Sequence, residues 1–255
     1  NENGVGRETE WSVAPLQPGI SEVTAIENKR LNISPTADDL GSQDIIEQSQ
    51  TIYWYPSQVN VSIRPGWFYH PEEDHQVKTL ARLVDIYFQS VGMNSVLLLN
   101  VPPDTRGRLH EADVEQLRQF GTYIGNTFDN EKLIDGDIPW KARSGASREY
   151  NIIPDESINT VMLQEDIRKG QRVEKFIVEG FIDNKWVKLT EGTTIGYKRL
   201  LRFDNTSSSR LRVTINETRD IANIHKVGAY FASALEAETE DLHGNETNLN
   251  SNQIK

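Results

Sequence analysis

The sequence predicts an α/β segment followed by an antiparallel all-β domain, a β-sandwich. Two observations carry that prediction. Between about residues 59 and 128, apolar side chains recur at helical spacing on either side of a continuous apolar run, Ser95-Val96-Leu97-Leu98-Leu99, the pattern of a strand covered on both faces and flanked by helices. Beyond about residue 155 the apolar period drops to two, in short runs separated by turn residues, which is the signature of a sandwich. With 255 residues the chain is long enough to build two cores.

In chain order, residues 1 to about 50 read as loop, punctuated by Pro15, Pro18, Gly19, Pro35 and Gly41 without a sustained period. Irregular stretches of that length in compact domains usually carry a function. Val59 to Ile63 alternates and runs into Arg64-Pro65-Gly66-Trp67, a strand ending in an aromatic loop. From 71 to 92, Val77, Leu80, Leu83, Val84, Tyr87, Phe88 and Val91 line one helical face, and Pro71 with Glu72, Glu73 and Asp74 suits a first turn. After the buried strand at 95–99 and a Pro102-Pro103 loop, Val114, Leu117, Phe120, Ile124 and Phe128 predict a second helix. Strand, helix, strand, helix is the rhythm of βα units on a parallel sheet, and two units cannot close such a sheet. The rest of it is expected from sequence upstream, in keeping with a chain that begins at Asn1 without an initiator Met.

Residues 131–154 read as a linker of Gly, Asp, Pro and Ser around Trp140. Within 155–235, Phe176, Val178 and Ile182 share a face, Asp183-Asn184-Lys185 turns, and Trp186 to Leu189 returns. Further strands are predicted at Thr194–Phe203, Leu211–Ile215 and Val227–Phe231, and the Asn-, Glu- and Ser-rich tail at 236–255 is expected to be disordered. Composition excludes several functions. A net charge of −11 repels a phosphate backbone, so no nucleic-acid partner is expected. No apolar run approaches the roughly 20 residues of a membrane span. Cysteine is absent, which excludes disulfides and thiolate metal sites.

The run Ser62-Ile63-Arg64-Pro65-Gly66-Trp67-Phe68-Tyr69-His70, followed by Leu98-Leu99-Asn100-Val101-Pro102-Pro103-Asp104, resembles the closing barrel segments of glycoside hydrolase family 29, the α-L-fucosidases. Arg7-Glu8-Thr9-Glu10-Trp11 is similar to the stretch after that family's Gly-Asn-Glu motif. Leu163-Gln164-Glu165-Asp166, Gly170-Gln171-Arg172-Val173 and the run from Gly192 to Arg199 resemble its carboxy-terminal domain. The resemblance implies the end of a (β/α)₈ TIM barrel over residues 1–130, followed by the sandwich. It implies a retaining exo-glycosidase that removes terminal α-L-fucose from fucosylated oligosaccharides or glycoconjugates without metal or other cofactor, acting outside the cell or in the periplasm. Retention needs two carboxyl groups about 5 Å apart, one ionised and one protonated. In the family the nucleophile is an Asp in a Trp-Phe-Asp context that does not occur here, so it is expected upstream and the chain by itself is expected to be inactive.

If Asn1-Glu2 is the remnant of Gly-Asn-Glu, Glu2 matches the acid/base of the subgroup that prefers α1,3 and α1,4 fucosides. It could equally be a solvated terminal carboxylate, with Glu8 or Glu10 as substitutes. Trp67, at a strand end, could pack on the apolar face and methyl group of fucose or sit as core under the loop. Arg64 and His70 could bind sugar hydroxyls or fix the loop to neighbouring carbonyls, and Asn100 ends the next strand on the same side. An alternative is a carbohydrate-binding or scaffolding sandwich with a vestigial, inactive barrel remnant, for which Trp186 and Tyr197 are candidate platforms.

Overall fold

A computed structural model describes residues 6–9, 11–15, 41–49 and 51–235. Glu2, Glu10 and the tail at 236–255 therefore lie outside the described residues, as does most of the leading loop. The described part opens with a two-residue ribbon, β1 (Val13–Ala14) on β2 (Tyr53–Trp54), and a short helix α1 (Gln43–Ile46). Next come β3 (Gln58–Ser62), a 3-10 turn (Pro71–Gln76), helix α2 (Leu80–Gln89), β4 (Val96–Asn100) and helix α3 (Glu111–Phe128). Strands β3 and β4 pair in parallel, with Gln58 opposite Val96 and Ser62 opposite Asn100, as a strand–helix–strand unit requires.

The helix predicted over 71–92 divides in two. Val77 is extended (ψ 133°) and Lys78 donates its backbone N–H to the Ile63 carbonyl rather than to a helical turn. The α-helix starts afresh at Thr79, whose hydroxyl accepts from the Arg82 N–H at 3.3 Å. It buries Leu83, Val84, Ile86 and Phe88 and ends at Gln89, and the chain then turns through Gly92, where a Cβ would collide with the Phe88 carbonyl oxygen.

Eight further strands make the sandwich: β5 (Trp140–Ala142), β6 (Ala146–Asn151), β7 (Ser157–Glu165), β8 (Val173–Ile182), β9 (Lys185–Gly192), β10 (Arg199–Ser207), β11 (Arg210–Thr218) and β12 (Ala222–Tyr230). They form two antiparallel four-stranded sheets, ordered β10-β7-β12-β5 and β6-β11-β8-β9. The β8–β9 turn places Asp183 and Asn184 at φ 49° and 62°, the left-handed geometry that Asn and Asp accept in tight hairpins. Inward side chains of both sheets, among them Ile158, Val161, Leu163, Phe176, Val178, Leu211, Val213 and Ile215, make one buried cluster.

Two sequence expectations are corrected. The stretch 131–154 is not merely a linker: β5 pairs with β12 and β6 with β11. Those strands are short and polar on their outer sides, so composition hides them. Central strand β7, absent from the predicted strands, is buried along almost its whole length and pairs with both β10 and β12.

A second cluster joins the two halves: Val84 and Phe88 of α2 meet Met162, Leu200 and Tyr230 of the sandwich, with Phe128 of α3 edge-on to Tyr230 at 5.1 Å. The joint also has a polar pin. Asn94, at φ 60°, accepts from the Tyr197 N–H at 2.6 Å and donates to Ser12 Oγ at 3.2 Å and Gln171 Oε1 at 3.3 Å.

Candidate active site

The loop Ile63–His70 leaves the carboxyl end of β3, and its position is fixed from two sides. On the β4 side, Asn100 donates from Nδ2 to Ser62 Oγ at 3.0 Å and to the Trp67 carbonyl at 3.1 Å, while Ser62 Oγ donates to the Gly66 carbonyl at 2.7 Å. Backbone bonds from Ile63 N to the Asn100 carbonyl and from Lys78 N to the Ile63 carbonyl complete the hold. Trp67 is thereby presented with its main chain tethered and its side chain 38% exposed, next to Phe68 at 78%.

Beneath the loop lies a buried ionic cluster. Arg64 is fully buried and donates from Nε to both carboxylate oxygens of Asp113, at 3.1 Å each. Its Nη2 lies 3.0 Å from Asp113 Oδ2 and 2.9 Å from Asp74 Oδ1, and its Cζ stands 4.7 Å from the centre of the Tyr69 ring. Burial works against the guanidinium charge, but the hydrogen bonds to Asp113 and Asp74 outweigh it and hold its pKa above the ordinary value. Burial, and then Asp74, raise the Tyr69 phenol. His110, which caps α3 by accepting the Ala112 N–H, brings Nε2 to 3.3 Å from Asp74 Oδ2.

The sequence candidates thus separate. Trp67 and His70 are exposed at the loop, and His70 contributes its carbonyl to Arg64 Nη1 at 3.5 Å. Arg64 is not placed to bind a sugar: with no exposed surface and two carboxylates upon it, it anchors the loop from below. Glu8 is likewise committed elsewhere, to the buried Arg199 at 3.0 Å and to the Thr193 N–H at 3.3 Å, so it ties the leading segment to the sandwich. Asp74 and Asp113, which sequence reasoning missed, serve Arg64 and are not free nucleophiles. A buried arginine needs a counter-charge, and Asp113 in the first turn of an otherwise apolar helical face was the available signal. Asp104 of the Val-Pro-Pro-Asp run closes the next loop, accepting from Arg106 and Arg108 N–H; chiefly its hydrogen bonds to the Arg106 side chain lower its pKa to about 2.

On the sandwich, Trp186 packs against Phe181 at 5.1 Å and carries the Arg212 guanidinium 4.3 Å from its ring centre. Tyr197 is 61% exposed.

Residues 5–127 match the profile of the family described as Alpha-L-fucosidase. A crystal structure from Bacteroides ovatus ATCC 8483, an α-L-fucosidase by provisional assignment, is 53% identical and superposes at a TM-score of 0.88 over 94% of this chain and 41% of its own. The chain belongs to the α-L-fucosidases of glycoside hydrolase family 29. Alpha-L-fucosidase 1 of Arabidopsis thaliana is 32% identical over 208 residues, 69% of this chain and 41% of the relative. A Ruminococcus gnavus GH29 fucosidase in complex with fucose is 26% identical, with a TM-score of 0.73 over 91% of this chain and 50% of that one. The chain spans only 41 to 44% of the length of the curated α-L-fucosidases it matches. No helix among the described residues is long and apolar enough to cross a membrane.

Proposed function

We propose that this chain supplies the closing part of the catalytic barrel, residues 1–130, and the sandwich of an exo-acting α-L-fucosidase. The observation that carries the reading is Trp67, held by Asn100 and Ser62 at the carboxyl end of a parallel strand and left exposed, because barrel enzymes place their chemistry at that end. The parallel β3–β4 pair supports the barrel. Val96 and Leu98 of β4, on the face shared with Gln58 and Asn60, are 52% and 51% exposed, as expected where neighbouring strands are still to be added.

In this reading the substrate is a glycan with terminal α-L-fucose, and the structure of the R. gnavus relative with fucose supports that choice. Trp67 packs on the methyl-bearing face of the sugar, and His70 reaches a hydroxyl. Glu2 is the acid/base, and the nucleophilic Asp comes from the upstream barrel portion of the same enzyme. Hydrolysis then proceeds by double displacement, with the two carboxyl groups exchanging acid and base roles between steps. Secretion or periplasmic export belongs to the same proposal. The test uses fucose and 4-nitrophenyl α-L-fucoside with the 255-residue chain. Saturation-transfer NMR is expected to mark the fucose methyl group, with the signal lost in Trp67→Ala, and the aryl fucoside should not turn over. Turnover by this chain alone, or a methyl signal indifferent to Trp67→Ala, overturns the reading.

A further inference from the structure

A cavity of about 510 Å³ lies between the β1–β2 ribbon and the sandwich, with Trp11, Tyr53 and Trp54 on one side and Lys169, Gln171 and Arg219 on the other. That volume is in the range of small-molecule sites, which favour junctions between structural units. Trp54 precedes β3 whereas Trp67 follows it, so the two tryptophans are a strand's length apart.

The polar capacity left over around this cavity is all of one kind. Gln171 uses its carbonyl to accept from Ser12 N at 2.6 Å and Asn94 Nδ2 at 3.3 Å, which fixes the amide and leaves Nε2 as a surplus donor. Trp11 has a cation on its face, Arg219 Cζ at 4.3 Å, and its indole N–H also lacks an acceptor among the described residues. Both residues are more than nine-tenths buried, with relative exposures of 7% and 5%, and buried donors without partners are uncommon. The arginines of the wall are matched: Arg168 with Asp166, Arg172 with Asp220, and Arg219 with Glu47 and Glu174. The Lys169 ammonium has no carboxylate within ion-pair distance among the described residues. Trp54, 65% exposed, offers an open aromatic face.

We propose that this cavity binds an acidic sugar residue, a pyranose bearing a carboxylate. Its ring lies on Trp54 and its carboxylate faces Lys169. An aromatic face alone would suit any sugar; the Lys169 ammonium, the one cation of this wall without a carboxylate partner among the described residues, selects an anionic one.

The test is a titration of the full chain, followed by tryptophan fluorescence and calorimetry, with methyl β-D-glucuronide, methyl β-D-glucoside and sodium sulfate. The glucuronide is expected to bind in the millimolar range and about tenfold more tightly than the glucoside, the difference of one charge-assisted bond. Sulfate should bind more weakly than the glucuronide because it has no ring to stack. Lys169→Ala should erase the preference for the glucuronide, Trp54→Ala should reduce binding of both sugars, and Lys185→Ala on the distant hairpin should change neither. Because Lys169 is exposed, its variant tests the idea even if Trp54→Ala perturbs the ribbon. Equal affinity for the two glycosides, sulfate binding as tight as the glucuronide, no binding of either sugar, or affinities unmoved by Lys169→Ala would each overturn the proposal.

Discussion

At the scale of single residues, the buried Arg64–Asp113 pair and the buried Glu165 behave in opposite ways. Removing one partner of a buried ion pair strands the other in a low dielectric, and the usual loss is about 3–5 kcal/mol. Asp113→Ala is therefore expected to cost about that much by urea denaturation and to loosen the Trp67 loop, seen as a change in tryptophan emission. Glu165 accepts the Arg172 N–H at 2.8 Å but is 3% exposed, and burial first of all pushes its carboxyl up to about 7. The native state therefore holds this proton where the unfolded chain, at the ordinary 4.5, has released it. Stability from this group is complete below about 4.5 and declines as pH rises towards 7, by about 3 kcal/mol for a shift of that size. Melting curves of wild type and Glu165→Gln between pH 4.5 and 7.5 should diverge, the wild type losing stability with rising pH more steeply than the variant. Parallel curves would show that Glu165 titrates normally.

At the scale of elements, Gly196 is the sharpest test of the joint. It sits at φ 61°, and a Cβ would lie 2.4 Å from Asn94 Cγ, so Gly196→Ala combines backbone strain with a clash on the residue that pins the halves together. A loss of about 2 kcal/mol or more is expected, with hydrogen exchange accelerating first at the Tyr197 N–H. The elements also show what could be read from sequence. Helix α3, strands β8 and β9 and the turn between them were legible because their periods are regular and their caps local. The break at Val77 was not, because the competing partner, the Ile63 carbonyl, lies 15 residues earlier in sequence and meets Lys78 only in the fold. Strand β7 escaped notice because it is buried on both faces and lacks alternation. In the site, motif and position made Trp67 legible. The inward assignment of Arg64 needed Asp113, 49 residues away.

At the scale of the whole molecule, the sandwich is self-sufficient and the βα half is not. The sandwich closes its own core between two sheets, whereas the β3–β4 pair leaves Val96 and Leu98 open and pairs with no further strand among the described residues. An uncovered apolar sheet face invites association. Light scattering of the isolated chain should show concentration-dependent oligomers that Leu98→Lys reduces. The sandwich nevertheless reaches the aromatic loop through β4. Asn94, just before that strand, is fastened to Tyr197 of the sandwich, and Asn100, its last residue, is fastened to the carbonyl of Trp67. In mechanical terms β4 is a strut with an amide bolt at either end. Cutting away residues 155–235 would then release the far end of the strut, and the loss would be felt as misalignment of Trp67 rather than as missing contacts with a sugar.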